Sequence, residues 1–161
     1  MNNMTTFEDF LIASVIAFAL IVSGSFVFNF LLRRLWRYLR KHEHRPHFTM
    51  QLSVLGVFVC HTFVVWMYGL VFWLSVEKFH FGALTGDFPA GHFLTYIYFS
   101  ATTYSSLGFG DIEPLGAMRF LTGVEAINGL ILIGWSVTYT YFATERYLAH
   151  ESNKPAPPRD Y

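Results

Sequence analysis

The chain has a single cysteine and few charged residues, and both shortages exclude classes of protein. Because Cys60 is the only cysteine in 161 residues, the chain has no intrachain disulfide and no metal site built on several thiolates. Charged residues make up 14% of the chain, against roughly 25% in a soluble domain. Apolar residues make up 53%, and the mean hydropathy is +0.38. This composition is not that of a soluble domain.

Positive charge is missing from the first ten residues, which carry Glu8 and Asp9 but no Lys or Arg. A signal peptide begins with a positively charged region, so we expect the first apolar segment to remain in the mature chain. Six of the eleven Lys and Arg lie together in a predicted loop. By the positive-inside rule this loop is cytoplasmic, which places the N-terminus outside. Its six basic residues are Arg33, Arg34, Arg37, Arg40, Lys41 and Arg45.

Three apolar segments are long enough to cross a bilayer as helices, over residues 10–32, 49–76 and 115–147. Turn residues predict an outer loop over 79–90. Residues 92–104 form a helix of about 20 Å, which is too short to cross. The proline-rich tail, 149–161, is predicted to be disordered and cytoplasmic.

A glycine-rich stretch lies between the second and third apolar segments. Residues 106–111, here called the SLGFGD segment, alternate small residues with bulky apolar ones and end on a carboxylate. Its two glycines flank Phe109 and allow a backbone of alternating hand that residues with a Cβ avoid. Such a backbone turns successive carbonyls the same way, and a ring of these carbonyls replaces the hydration shell of a cation.

This segment resembles the selectivity filter of the potassium-channel pore family, usually T-V-G-Y-G-D. Ser106, Leu107 and Phe109 stand at the threonine, valine and tyrosine of that motif, and the other three positions are identical. The identical residues are Gly108, Gly110 and Asp111. The resemblance extends over residues 92–144, including a short aromatic helix before the segment and Pro114 after it.

The resemblance implies an all-α membrane protein with three transmembrane helices, a re-entrant pore helix and a filter loop, assembled as a four-fold homotetramer. The implied ion-coordinating filter consists of Ser106, Leu107, Gly108, Phe109 and Gly110, in which the carbonyls of residues 106–109 and the Ser106 hydroxyl would coordinate potassium. The implied protein is a multi-pass channel of the plasma (inner) membrane, with no enzymatic activity, cofactor or nucleic-acid partner. Residues 1–48 hold the extra helix and the basic loop, 49–148 the pore domain, and 149–161 the tail.

The resemblance also assigns residues that support the filter. Phe109 lacks the family's tyrosine hydroxyl, and we expect Phe99 to face it. Asp111 needs a donor, and we expect Tyr98 to provide one. Glu125 either lines the cavity or lies behind the filter, bonded to Ser105 or Thr103; we favour the position behind the filter.

Three further positions have competing interpretations. Gly129 lies where the family's inner helix carries a bending glycine, but a small residue there also permits close helix packing. His61 is either a satisfied core histidine or a proton-sensitive contact. The histidines of residues 42–47 could hold a transition metal, although the many arginines nearby argue against it.

The basic residues Arg33, Arg34, Arg37, Arg40 and Lys41 are predicted to bind the headgroups of anionic lipids. Three of the arginines recur at every third residue, as in voltage-sensing helices, but they lie outside the apolar span.

Three rival functions remain open. The first is a channel of the same fold that passes sodium as well as potassium, because Ser106 and Leu107 depart from the family motif. The second is a membrane enzyme or metal-binding sensor built on His61, Glu125 and the histidine loop of residues 42–47. The third is a subunit that assembles but does not conduct alone.

Overall fold

The computed structural model describes residues 7–41, 46–88 and 91–152. Four helices and two short strands follow one another along the chain. The elements are α1 (Phe7–Lys41), α2 (Pro46–Trp73), β1 (Ala83–Gly86), α3 (Phe93–Tyr104), β2 (Ile112–Leu115) and α4 (Met118–Ser152). Three segments are long and apolar enough to cross a membrane: Phe7–Lys41, Phe48–Lys78 and Met118–Glu145.

The first helix is longer than the sequence predicted. Instead of ending at Leu32, α1 continues to Lys41, so the five basic residues from Arg33 to Lys41 are helical and not part of a loop, while Arg45 lies outside the described residues. The reason is that Arg, Lys and Leu are good helix formers and no Gly or Pro interrupts the run. Acidic residues in the first turn and basic residues in the last turn complement the helix dipole.

The second helix begins at Pro46, three residues before its predicted start. Proline is favoured at a first helical position because the N–H that it lacks would have no partner there. The helix ends in a π-helical turn, Leu74–Lys78, closed by a 3.1 Å bond from the Phe79 N–H to the Leu74 carbonyl.

The prediction of an all-α chain was wrong in one respect. Residues 79–90 were expected to form only a loop, but they contain β1, which pairs antiparallel with β2 in the register Ala83↔Leu115 and Gly86↔Ile112. Gly86 has φ +144°, and a Cβ there would collide with the Asp111 carbonyl. The sheet therefore hydrogen-bonds the chain immediately after the SLGFGD segment to the strand that follows α2.

The last helix also differs from its predicted bounds. Leu115 belongs to β2, so α4 begins at Met118 instead of Leu115, after Gly116 in a left-handed conformation. The helix extends to Ser152, so the tail predicted from residue 149 is helical over its first four residues. The remainder of that tail and residues 42–45 of the histidine segment lie outside the described residues.

Small residues bring the helices close together. Buried residues of α1 recur every three or four positions and pack it against α2 and α4: Ala13, Ala17, Leu20, Gly24 and Phe28. Gly69 of α2 faces α3, and a Cβ there would lie 3.0 Å from the Ile97 Cα. Gly129 of α4 lies against the Tyr104 carbonyl, with no room for a Cβ. These contacts hold the end of α3 against both longer helices.

Replacing Gly129 with alanine tests this packing. Because the new methyl group would collide with the main chain of Tyr104, we expect Gly129→Ala to destabilise the protein by about 1–3 kcal/mol. Gly123→Ala is the matched control, since a Cβ there meets no heavy atom within 4 Å. Thermal unfolding of the purified variants in detergent measures the difference, and equal melting temperatures would contradict the packing.

Candidate functional site

The backbone of the SLGFGD segment alternates in hand. Ser106, Gly108 and Gly110 have φ values of +59°, +51° and +79°, whereas Leu107 and Phe109 between them do not have positive φ. This is the alternation predicted from the two glycines. Within this segment, Ser106 adopts the left-handed conformation without being glycine, at a cost of about 1–2 kcal/mol.

Hydrogen bonds tie the start of the segment to the C-terminal end of α3. The Ser106 N–H donates to the Thr103 carbonyl over 2.9 Å, and the N–H groups of Leu107 and Gly108 donate to the Thr102 carbonyl over 2.9 and 3.2 Å. Among the described residues, none donates a hydrogen bond to the carbonyl oxygens of residues 106–109. The first three N–H groups of the segment are therefore used locally, and four successive carbonyl acceptors are available for another partner.

The aromatic support behind the segment follows the prediction in one contact and departs from it in another. The Tyr98 hydroxyl donates to Asp111 over 2.7 Å, which is the predicted hydrogen bond. Phe109 stacks on the ring of Tyr98, with centroids 6.5 Å apart and an interplanar angle of 8°. Phe99 was expected to face Phe109 but packs instead against Phe72 of α2, because one helical step turns it to another face.

Glu125 lies behind α3, but its predicted partners were wrong. The side chain is 0% exposed, which argues against the cavity-lining alternative. Its Oε1 lies 2.5 Å from the hydroxyl of Ser100, and that hydroxyl also donates to the Val65 carbonyl over 2.9 Å. Among the described residues, neither Ser105 nor Thr103 hydrogen-bonds Glu125, and the Ser105 hydroxyl donates to the Ala101 carbonyl.

A second polar group connects the same three helices. Nδ1 of His61 lies 2.7 Å from the Tyr104 hydroxyl, and Nε2 lies 3.0 Å from the Ser136 hydroxyl. About two turns away, the Asn128 side-chain amide donates to the Tyr68 hydroxyl over 3.0 Å. Both ring nitrogens of His61 thus have partners, as a satisfied core histidine requires.

Sequence reasoning missed most of these partners. It singled out Glu125 and His61 as costly polar groups in apolar helices, but it did not identify Ser100 or Tyr104. It also missed the 2.7 Å bond from the Tyr96 hydroxyl to Glu77 at the end of α2. Burial, and then this bond, raise the pKa of Tyr96. The available signal was the hydroxyl groups within α3, a short helix of otherwise apolar residues.

The basic residues of α1 project from its last three turns. Arg33, Arg34, Arg37, Arg40 and Lys41 are all exposed. Two of them border a groove of about 690 Å³ between the C-terminal halves of α1 and α4. The groove is lined by Asn29, Leu32, Arg33, Trp36, Arg37, Trp135, Tyr139 and Phe142. Within the described residues, no group of three or more His, Cys, Asp or Glu could hold a metal ion.

Comparison with known protein families identifies the family to which this chain belongs. The model of a family described as "Ion channel" matches residues 54–144, from α2 to α4 and including the SLGFGD segment. This match covers more than half of the chain, and the protein therefore belongs to that ion-channel family. The predicted resemblance to a channel pore is confirmed at this level.

One curated protein is similar in sequence to this chain over a shorter length. Protein LctB of Geobacillus stearothermophilus is 38% identical over 50 residues, which are 31% of this chain. The match spans 37% of the length of LctB, so it extends to neither whole protein. No solved structure matches the chain significantly.

The hydrogen bond between Tyr98 and Asp111 has a measurable signature. The bond to the carboxylate is the main cause that raises the pKa of Tyr98, because it stabilises the neutral phenol. We expect Asp111→Asn to lower the pKa of Tyr98 towards its ordinary value. Ultraviolet titration curves measure this pKa. Subtracting the curve of Tyr98→Phe from that of wild type isolates Tyr98, and subtracting the curve of the Asp111→Asn/Tyr98→Phe double variant from that of Asp111→Asn isolates it without the carboxylate. The same midpoint in both pairs would show that the bond is absent.

Proposed function

We propose that the protein is a potassium channel in which four copies of the SLGFGD segment form a selectivity filter. The observation that carries this proposal is the alternating backbone of residues 106–110 with unused carbonyl oxygens. A potassium ion that enters a membrane loses its hydration shell, and a ring of carbonyl dipoles compensates for that loss. The carbonyls of residues 106–109 and the Ser106 hydroxyl are the proposed ligands.

The proposed assembly is a homotetramer, and the reason that several copies are needed is that each chain has one such segment. A single chain offers oxygens from one side only, so several copies around an axis are needed to enclose an ion. Two observations on the single chain support assembly. Leu107 and Phe109 are 63% and 65% exposed, although both are large and apolar. Ile127, Ile131 and Trp135 of α4 are also more than half exposed, and neighbouring copies would cover such surfaces.

The proposed position in the membrane places α3 as a re-entrant helix. Its 12 residues are too few to cross, and its C-terminal end leads directly into the SLGFGD segment. That end carries about half a negative charge, which favours a cation beyond it. With the basic end of α1 cytoplasmic, the N-terminus lies outside and the C-terminus inside, in the plasma (inner) membrane.

The exposed arginines of α1 are proposed to bind anionic lipid headgroups at the cytoplasmic surface. Each basic residue near such a surface contributes about 1 kcal/mol of attraction. Gly129 keeps its proposed role as a bending point, although its close approach to Tyr104 accounts for the glycine without a hinge.

Potassium flux into liposomes tests the proposed filter. Gly110 has φ +79°, and an alanine at such an angle costs about 1–2 kcal/mol in each chain. Because four copies share the filter, we expect Gly110→Ala to reduce potassium flux by more than about tenfold. Gly134→Ala is the control, since a Cβ there meets no heavy atom within 4 Å and the helix tolerates it. Equal flux through both variants would contradict the filter.

The alternative within the same family is a channel that passes sodium as well. The departures that favour it are Ser106, which lacks a methyl group of threonine, and Leu107 at the family's valine. We expect wild-type protein in liposomes to pass potassium faster than sodium under equal gradients, and Ser106→Thr to widen the difference. Equal rates for the two ions in wild type would instead establish the non-selective channel.

A further inference from the structure

Glu125 is a carboxyl group enclosed by three helices. It projects from α4, is 0% exposed, and meets the hydroxyl of Ser100 on α3 at 2.5 Å. The same hydroxyl lies 2.9 Å from the Val65 carbonyl on α2. A single chain of polar atoms therefore runs from α4 through α3 to α2.

Counting hydrogens along this chain determines the protonation state of Glu125. The hydroxyl of Ser100 has one hydrogen, while both of its neighbours are oxygens. The Val65 carbonyl can only accept, so the hydrogen of Ser100 points towards it. The short contact to Glu125 then needs a hydrogen supplied by the carboxyl group. A carboxylate would put two acceptors on one donor, whereas a carboxylic acid satisfies both contacts.

The other oxygen of Glu125 supports the same assignment. Oε2 is buried and has no hydrogen-bond partner among the described residues. Burying an ionised carboxylate without a paired charge is far more costly than burying a neutral acid. Leaving the carbonyl oxygen of a neutral acid without a hydrogen bond has a modest free-energy cost, whereas leaving a carboxylate oxygen without one has a large cost.

The elements around Glu125 offer it no positive charge. From α2 the nearby titratable group is Tyr68, whose hydroxyl accepts from Asn128, and from α3 it is Tyr104. His61 reaches Tyr104 and not Glu125. The α1 helix carries no charged residue between positions 10 and 32. Neither tyrosine carries a positive charge, and neither hydrogen-bonds Glu125.

We propose that Glu125 is a positioning residue that acts as a neutral acid, with its Oε1–H donating to Ser100 and Ser100 donating to the Val65 carbonyl. This clamp holds α3 against α2 and α4. Because the SLGFGD segment follows α3 directly and is hydrogen-bonded to its C-terminal end, the clamp also determines the position of that segment. Ionisation of Glu125 at high pH removes the donor and loosens α3. The effect on conduction rests on the proposed function, whereas the clamp itself does not.

Infrared spectroscopy of the purified full-length protein tests the protonation state directly. At neutral pH we expect the difference spectrum of wild type minus Glu125→Gln to show the carbonyl stretch of a hydrogen-bonded carboxylic acid. Five other carboxyl groups, Glu8, Asp87, Asp111, Glu113 and Glu145, are exposed, whereas Glu125 is buried. Ser100→Ala removes the acceptor, and the acid band should then shift to the frequency of a free acid. If the wild type instead has a carboxylate band that Glu125→Gln lacks, Glu125 is ionised and the proposal is wrong.

Melting temperature against pH tests the clamp. Because folded Glu125 keeps a proton that the unfolded chain releases, wild-type stability should fall as the pH rises above the ordinary range of a glutamate and should level off where the acid band disappears. Glu125→Gln keeps a donor that does not titrate, so its melting temperature should vary less over this pH range. Glu125→Asp, whose shorter side chain cannot reach Ser100, should melt several degrees lower. If Glu125→Gln fails to fold, or if its pH profile matches that of wild type, the proposal is wrong.

Flux measurements separate this inference from the proposed function. If the acid band and the pH profile are found but no variant conducts, the clamp stands and the channel assignment fails. If wild type conducts potassium and the acid band is absent, the channel assignment stands and the clamp fails.

Discussion

A carbonyl oxygen at membrane depth must have a partner, and this requirement governs the whole structure. Water can donate a hydrogen bond to such an oxygen, but lipid tails cannot. A polar group left unpaired in hydrocarbon costs several kcal/mol. The first three N–H groups of the SLGFGD segment bond the end of α3, and the oxygens of residues 106–109 have no donor in the described chain. In the proposed assembly a monovalent cation supplies what those oxygens lack. Belonging to an ion-channel family makes that partner chemically reasonable.

The rest of the fold keeps this segment in place. The sheet of β1 and β2 holds its far end, and the bond from Tyr98 to Asp111 braces its back. Behind α3, Glu125 and His61 each join three helices through hydroxyl groups. These contacts are polar but buried, so each fixes a geometry that apolar packing alone would leave adjustable. The long helices serve as walls for one short helix and the loop that it carries.

Periodicity and composition predicted the parts of the fold that depend on the bilayer. The three crossings, the short α3 and the alternating backbone around Gly108 follow from local rules about length, charge and glycine. Pairwise contacts did not follow from such rules. The sequence cannot tell that Phe99 turns towards α2 or that Ser100 meets Glu125, because both depend on the rotation of one helix against another. The sheet was missed because its strands are four residues long and lie among turn residues.

The most direct measurement is an anomalous-scattering map of the assembled protein with thallium, a monovalent cation that replaces potassium. The account predicts thallium on an axis shared by four copies, beside the main-chain oxygens of residues 106–109. A monomer, or an assembly in which those oxygens face away from the axis and thallium binds elsewhere, would contradict it.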